Sequence, residues 1–232
     1  GVADRAWTAV DTARRHGLIT GVATSLCQTN LREMTSDAFL AELVRRGVHY
    51  VWYYIYRPVG PRPAPELALD ATGIQRVREF LAEARARWPL VIVDSYWDAN
   101  GQPLCPAALG LSHHVGPGGD IEPCPVIQFA ADTIGDGSGI RARMANSEFL
   151  RAVRSRLAQA GGGCILLRDP GGLAECLDAI GARDTSGRGT ARAELGHMRP
   201  RPDHGSGAPI AERVWMYRQL KRNLFFGMSA YG

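Results

Sequence analysis

An α/β fold with parallel strands is predicted for residues 1–100, followed by a loop-rich α+β region that carries most of the cysteines. Three observations predict this. Helical and strand periods alternate through the first part. The strands there are near-continuous apolar runs, as expected where helices cover a parallel sheet. After Asp94 the texture changes to Gly, Pro, His and Asp with few long apolar runs.

The elements follow in order. Trp7, Val10 and Ala13 recur at helical spacing, and Gly17 stops that helix. Leu18 to Leu26 reads as a strand. Thr35 or Ser36 caps a helix with Phe39, Leu40, Leu43 and Val44 on one stripe, ended by Gly47. Val48 to Tyr56 is β-branched and aromatic, a strong strand. Pro58 to Pro65 is a proline-rich loop. Thr72 can cap a third helix through Ile74, Val77, Phe80, Leu81 and Ala84, and Leu90 to Val93 is a short buried strand. Three parallel strands preceded by a helix look like the C-terminal part of a longer (β/α) barrel or open sheet. Beyond residue 100, Gly118-Gly119-Asp120 reads as a hairpin turn. Asp132 and Asp136 read as turn residues beside Gly135 and Gly137, because a calcium loop needs a fuller ligand series. Asn146 caps a helix through Phe149, Leu150, Val153 and Leu157. Cys164 to Leu167 reads as a short strand, and Leu173, Leu177 and Ile180 mark a helix ended by Gly181. Residues 184–209 read as a flexible linker, and a last helix runs from about Ile210 to Leu224. The expected division is therefore 1–100, 101–183, 184–209 and 210–232.

Composition removes several function classes. A hydrophobic fraction of 45% with 22% charged residues is ordinary for a globular chain, so a core can form. No apolar run approaches the roughly 18 residues a membrane span needs. The N-terminus lacks the charged start and apolar core of a secretory signal, so a cytoplasmic location is expected. The net charge of +4 is mild and spread over helix faces such as Arg151, Arg154 and Arg156. Nucleic-acid binding wants a concentrated basic stripe with aromatic platforms, and neither is present.

The five cysteines are Cys27, Cys105, Cys124, Cys164 and Cys176. An odd number in a reducing compartment argues against a disulfide framework. A hairpin at Gly118-Gly119 would carry Cys105 and Cys124 towards one point. With Cys164 and Cys176, four thiolates from separate elements could enclose a tetrahedral centre. No pair has CxxC spacing, and unrelated buried thiols answer to the same pattern. His113 and His114 are adjacent, so in a strand they face opposite ways. Cys27, near a strand end, reads as a buried thiol. Tyr50, Trp52, Tyr53, Tyr54 and Tyr56 pack on alternating faces of their strand, and some can line a cavity.

The wording around the cysteines is more specific than their spacing. Cys105-Pro106-Ala107-Ala108-Leu109-Gly110, then Gly119-Asp120-Ile121-Glu122-Pro123-Cys124-Pro125, resembles the auxiliary-cluster region of radical S-adenosylmethionine enzymes. Their SPASM and twitch extensions carry a cysteine, a hairpin of the form G-x-(V/I)-x-P-C, and later cysteines. Asn146-Ser147-Glu148-Phe149-Leu150 with Arg154 resembles the helix that follows. Gly21-Val22-Ala23-Thr24-Ser25 up to Asn30, then Phe39-Leu40 and Gly47-Val48, resembles the late strands of the family's barrel. The resemblance runs to about residue 182. The family's CxxxCxxC loop and GGEP-like motif, both early in its barrel, are absent here, as a truncated chain would explain. The compact C-x-x-C-x₅-C of a full SPASM domain is also missing, which favours one auxiliary cluster.

The resemblance implies an auxiliary [4Fe–4S] cluster on Cys105, Cys124, Cys164 and, as fourth ligand, Cys176. It implies S-adenosylmethionine contacted at Asn30 in the intact protein. Tyr56, Arg57 and Asp94, at strand exits, are candidates for binding substrate. The intact protein would be an oxidoreductase-like radical enzyme acting on a small molecule or peptide, served by an electron-donor protein. This chain alone would be inactive. A structural or interaction module stabilised by zinc or iron–sulfur, without catalysis, would use the same thiolates, and a plain α/β enzyme with no metal is the third class.

Overall fold

The computed structural model describes residues 1–135, 137 and 139–223. Asp136, read above as a turn residue, and Leu224, the expected helix end, lie outside the described residues. In chain order the elements are α1 (Val2–Arg15), β1 (Gly21–Leu26), α2 (Leu31–Met34), α3 (Asp37–Arg45), β2 (Tyr50–Ile55), α4 (Ala71–Arg87) and β3 (Val91–Val93). There follow β4 (His114–Val115), β5 (Asp120–Glu122), β6 (Phe129–Ala130), β7 (Asp132–Thr133), α5 (Ile140–Asn146), α6 (Glu148–Gln159) and α7 (Ile165–Arg168). The last are α8 (Pro170–Ile180), β8 (Arg183–Asp184), α9 (Ala191–His197) and α10 (Trp215–Asn223). The fold is thus mixed α/β with a parallel three-stranded sheet.

That sheet has the order β1-β2-β3, all parallel, with Val22 opposite Val51 and Val51 opposite Ile92. It is covered on one face. Val51, Tyr53 and Ile55 are buried while Tyr50, Trp52 and Tyr54 are partly open. The buried face packs with Leu40 and Leu43 of α3 and Ile74 and Leu81 of α4. On the other face the Trp52 and Tyr54 rings stack 5.5 Å apart, beside exposed Ala23 and Ser25. β1 starts three residues later than Leu18, which is 58% exposed. Position 21 is a glycine because the Tyr50 ring lies where a Cβ would stand.

Helix ends obey local chemistry. Ser36 caps α3 by accepting the Phe39 N–H at 3.1 Å. Asp70, not Thr72, caps α4 through the Gly73 N–H at 2.7 Å. Ser147, not Asn146, caps α6 through Leu150 at 2.9 Å. In each case the side-chain acceptor lies three residues before the donor it satisfies.

The second core is built from Ile121, Phe129, Phe149, Val153, Leu173 and Leu177. Short antiparallel ladders β4-β5-β7 and β6-β8 lie on α6 and α8. Two expectations are corrected here. Ile165 to Arg168 is a helical turn, not a strand, with Cys164 at its N-cap. An apolar run of that length fits either element, and here the Leu167 and Arg168 N–H groups both close on the Cys164 carbonyl at 2.9 Å. Residues 184–209 do not form a bare linker: they contain α9, and Asp203 and His204 are buried. α10 starts at Trp215 rather than Ile210 and returns to the first sheet, where the Tyr217 hydroxyl accepts the Ile92 N–H at 2.8 Å. Among the described residues no helix is long and apolar enough to cross a membrane.

Candidate cysteine centre

The β4–β5 hairpin turns at Gly116–Gly119. The Gly116 N–H reaches the Asp120 carbonyl at 2.9 Å, and Gly119 adopts φ +80°, open to glycine at little strain. β5 delivers Cys124 into the second core, where it is 8% exposed. Cys105 follows the exit of β3: the Leu104 N–H bonds the Tyr96 carbonyl at 2.9 Å. Cys164 enters behind Gly161-Gly162-Gly163. Gly162 lies against the Pro103 carbonyl so closely that a Cβ would collide with it. The loops carrying Cys105 and Cys164 therefore pack backbone to backbone.

The three thiols feel one another. Burial, then the neighbouring Cys105 thiol, pushes Cys124 up to about 12. Burial also raises Cys105, with Cys164 adding to the shift. Burial raises Cys164 as well. At all three the Arg57 guanidinium, just past β2, opposes the rise. Low dielectric disfavours the thiolate, and a second nearby thiolate disfavours it further. A bound cation relieves both penalties, so the donor set suits a thiophilic metal or cluster in kind. As they stand, no three His, Cys, Asp or Glu side chains among the described residues are set to hold a metal ion. Cys105, Cys124 and Cys164 border one apolar core.

Cys176 stands apart. It lies on α8, is raised by burial, and has Arg156 as its charged neighbour instead of another thiol. Cys27 differs again. Burial would raise it, but bonds from the Thr29 hydroxyl at 3.3 Å and from the Thr29 and Asn30 N–H groups bring it below the usual thiol value.

The strand-exit candidates separate. Asn30 spends its amide locally: Oδ1 accepts the Cys27 N–H at 2.8 Å and Nδ2 donates to the Ser25 carbonyl at 2.9 Å. The Tyr56 hydroxyl accepts the Ala64 N–H at 3.2 Å. Arg57 lies over the Tyr96 ring at 5.6 Å, facing the cysteine loops. Asp94 is a correction. Its side chain is fully enclosed, with Arg85 at 2.5 Å and Lys221 at 3.2 Å, and Glu212 2.8 Å from Arg85. Burial works against its charge, but Lys221 and Arg85 hold the carboxyl well below the usual range. It secures α4, β3 and α10 and has no surface to offer a substrate. A cavity of about 250 Å³ adjoins the hairpin, bounded by Val59, Pro125, Ile127, Phe129, Leu166 and Leu195 among others; none of Asn30, Tyr56, Arg57 or Asp94 lines it.

Sequence reasoning missed several groups. The Tyr96 hydroxyl accepts the Ile55 N–H at 2.8 Å, and its ring meets the His204 ring 5.0 Å away. Glu122, 2% exposed, binds His114 Nδ1 at 2.6 Å and the Thr185 hydroxyl at 2.5 Å. His113 is instead lowered by burial and by Arg154. The H-H…E spacing across the hairpin was a readable signal, since a β-ladder puts His114 opposite Glu122. No family model, curated protein or solved structure matches the chain.

Proposed function

We propose that this chain is the C-terminal portion of a radical S-adenosylmethionine enzyme, carrying one auxiliary iron–sulfur cluster on Cys105, Cys124 and Cys164. The observation that carries the reading is the packing of the Cys105 and Cys164 loops, backbone to backbone, against the core that holds Cys124, with Arg57 over Tyr96 past the ends of β2 and β3. In parallel α/β folds that end of the sheet is where sites are built. A one-sided sheet with an aromatic open face is also what a segment of barrel wall presents.

When bound, the cluster would supply electron transfer or an iron site for a substrate donor atom. The chain's own part is positional. The second core keeps water from the thiols, Arg57 offsets negative charge, and Trp52 and Tyr54 present an aromatic wall to whatever enters the open face. Cys176 is the weakest member of the expected ligand set, being turned towards Arg156. Asn30 uses one acceptor and one donor of its amide on Cys27 and Ser25, which fixes its orientation and leaves a second lone pair and a second N–H for S-adenosylmethionine. The intact enzyme would work in the cytoplasm with an electron-donor protein, on a small molecule or peptide.

The test is anaerobic reconstitution of the 232-residue chain with iron and sulfide. Brown protein holding iron and acid-labile sulfide, lost in Cys105→Ser, Cys124→Ser and Cys164→Ser, supports the reading. Zinc bound at the same cysteines in place of iron turns it into the structural zinc module. No metal at all defeats both. No 5′-deoxyadenosine should form from this chain under reduction, since the CxxxCxxC loop is not in the sequence.

A further inference from the structure

The residues after α9 were expected to be a loose connection, yet they hold the most heavily bonded carboxylate near the cysteine loops. Asp203, with a side chain 1% exposed, accepts the backbone N–H of Cys164 itself on Oδ2. Both its oxygens lie 3.0 Å from Arg168 Nε, and Oδ1 also accepts the Gly205 N–H at 2.8 Å. The next residue extends the grip. His204 Nε2 meets the Gly162 carbonyl at 3.0 Å, and its own carbonyl takes Arg78 at 2.8 Å and the Trp97 indole at 2.7 Å. One dipeptide therefore ties α4, the exit of β3 and the Gly161–Cys164 loop together. The neighbouring glycine is dictated by this contact: a Cβ at Gly163 would strike both Asp203 Oδ2 and Arg168 Nε.

The geometry points to Asp203 as a positioning residue for the cysteine centre. It sets where the Cys164 backbone stands relative to Cys105, and so whether three thiols can close on one metal group. This rests on the reading of Cys105, Cys124 and Cys164 as ligands. Carboxylates that fix a ligand residue without touching the metal govern how tightly the metal is held. α7 is a single turn, too short to fix Cys164 by itself, so the constraint comes from Asp203 and Arg168.

The experiment follows loss of visible absorption from the reconstituted 232-residue chain after adding a chelator. Asp203→Ala removes the acceptor. Gly163→Ala pushes Asp203 and Arg168 apart while leaving both in place. Asp178→Asn, at the exposed pair with Arg192, is the control. The expected result is iron loss roughly 10–100-fold faster in both test variants and unchanged in the control. Circular dichroism of the metal-free proteins should remain folded; if Asp203→Ala unfolds, Gly163→Ala and Arg168→Gln decide. Wild-type chain that takes up no iron overturns the ligand reading itself. Wild-type chain that loads iron, with folded variants releasing it at the wild-type rate, overturns the role of Asp203 alone.

Discussion

The two bodies of this molecule are held by different means. The sheet body is periodic: Val51, Tyr53 and Ile55 alternate with Tyr50, Trp52 and Tyr54, and helices α3 and α4 cover the buried set. The cysteine body has ladders of two or three residues and relies on side chains that bind backbone, as Asp203, Asp169 and Ser147 do. The difference teaches where stability and precision come from. Apolar area makes the first body stable, whereas directional bonds give the second a defined arrangement of loops.

Substitutions can break that contrast. Leu40→Ala and Ile74→Ala, both fully buried, should each destabilise by about 2–5 kcal/mol, since lost transfer energy and a residual cavity add. Chemical denaturation checks this, and a loss under about 1 kcal/mol would mean the sheet core is not packed as described. Lys221→Met should be at least as damaging, on the order of 3–5 kcal/mol, because it leaves Asp94 and Glu212 sharing Arg85 in a buried site. If that variant melts like wild type, α10 does not lock the sheet edge.

Acid separates the bodies in a second way. Burial pushes His204 down to about 4 from 6.5. Between those values the unfolded chain takes the proton and the folded chain does not, so stability falls as pH drops from about 6.5 towards 4. His204→Gln should flatten that slope, which is worth about 3 kcal/mol. Asp94 acts lower. Its native carboxyl is depressed, so its stabilisation is complete above the unfolded value near ~4 and is lost as pH falls further. Thermal melts of the metal-free protein against pH should show both phases, the upper one absent in His204→Gln. The smallest effect expected is at a cap: Ser36→Ala should destabilise by about 1 kcal/mol.

The sheet body was legible because its signals are local. Alternation in β2, the Ser36 cap and the glycine stops at Gly17 and Gly47, both with positive φ, can be read within a few residues. The cysteine hairpin was legible for the same reason. What failed was non-local. Asp94 looked like a strand-exit ligand because Lys221 and Glu212, its enclosing partners, lie more than a hundred residues away. Residues 184–209 looked like a linker because composition reports flexibility in isolation, while Asp203 and His204 gain their order from Cys164, Gly162, Arg78 and Trp97. Cys176 shares a residue type with the other three and not their place, which spacing cannot tell.

The most direct measurement of the central claim is an anomalous difference map at the iron absorption edge from crystals of the reconstituted chain. The account predicts a peak enclosed by the Sγ atoms of Cys105, Cys124 and Cys164, with Arg57 beside it and Cys176 outside. A peak at Cys176 or Cys27, or those three sulfurs lying apart with no iron between them, would contradict it.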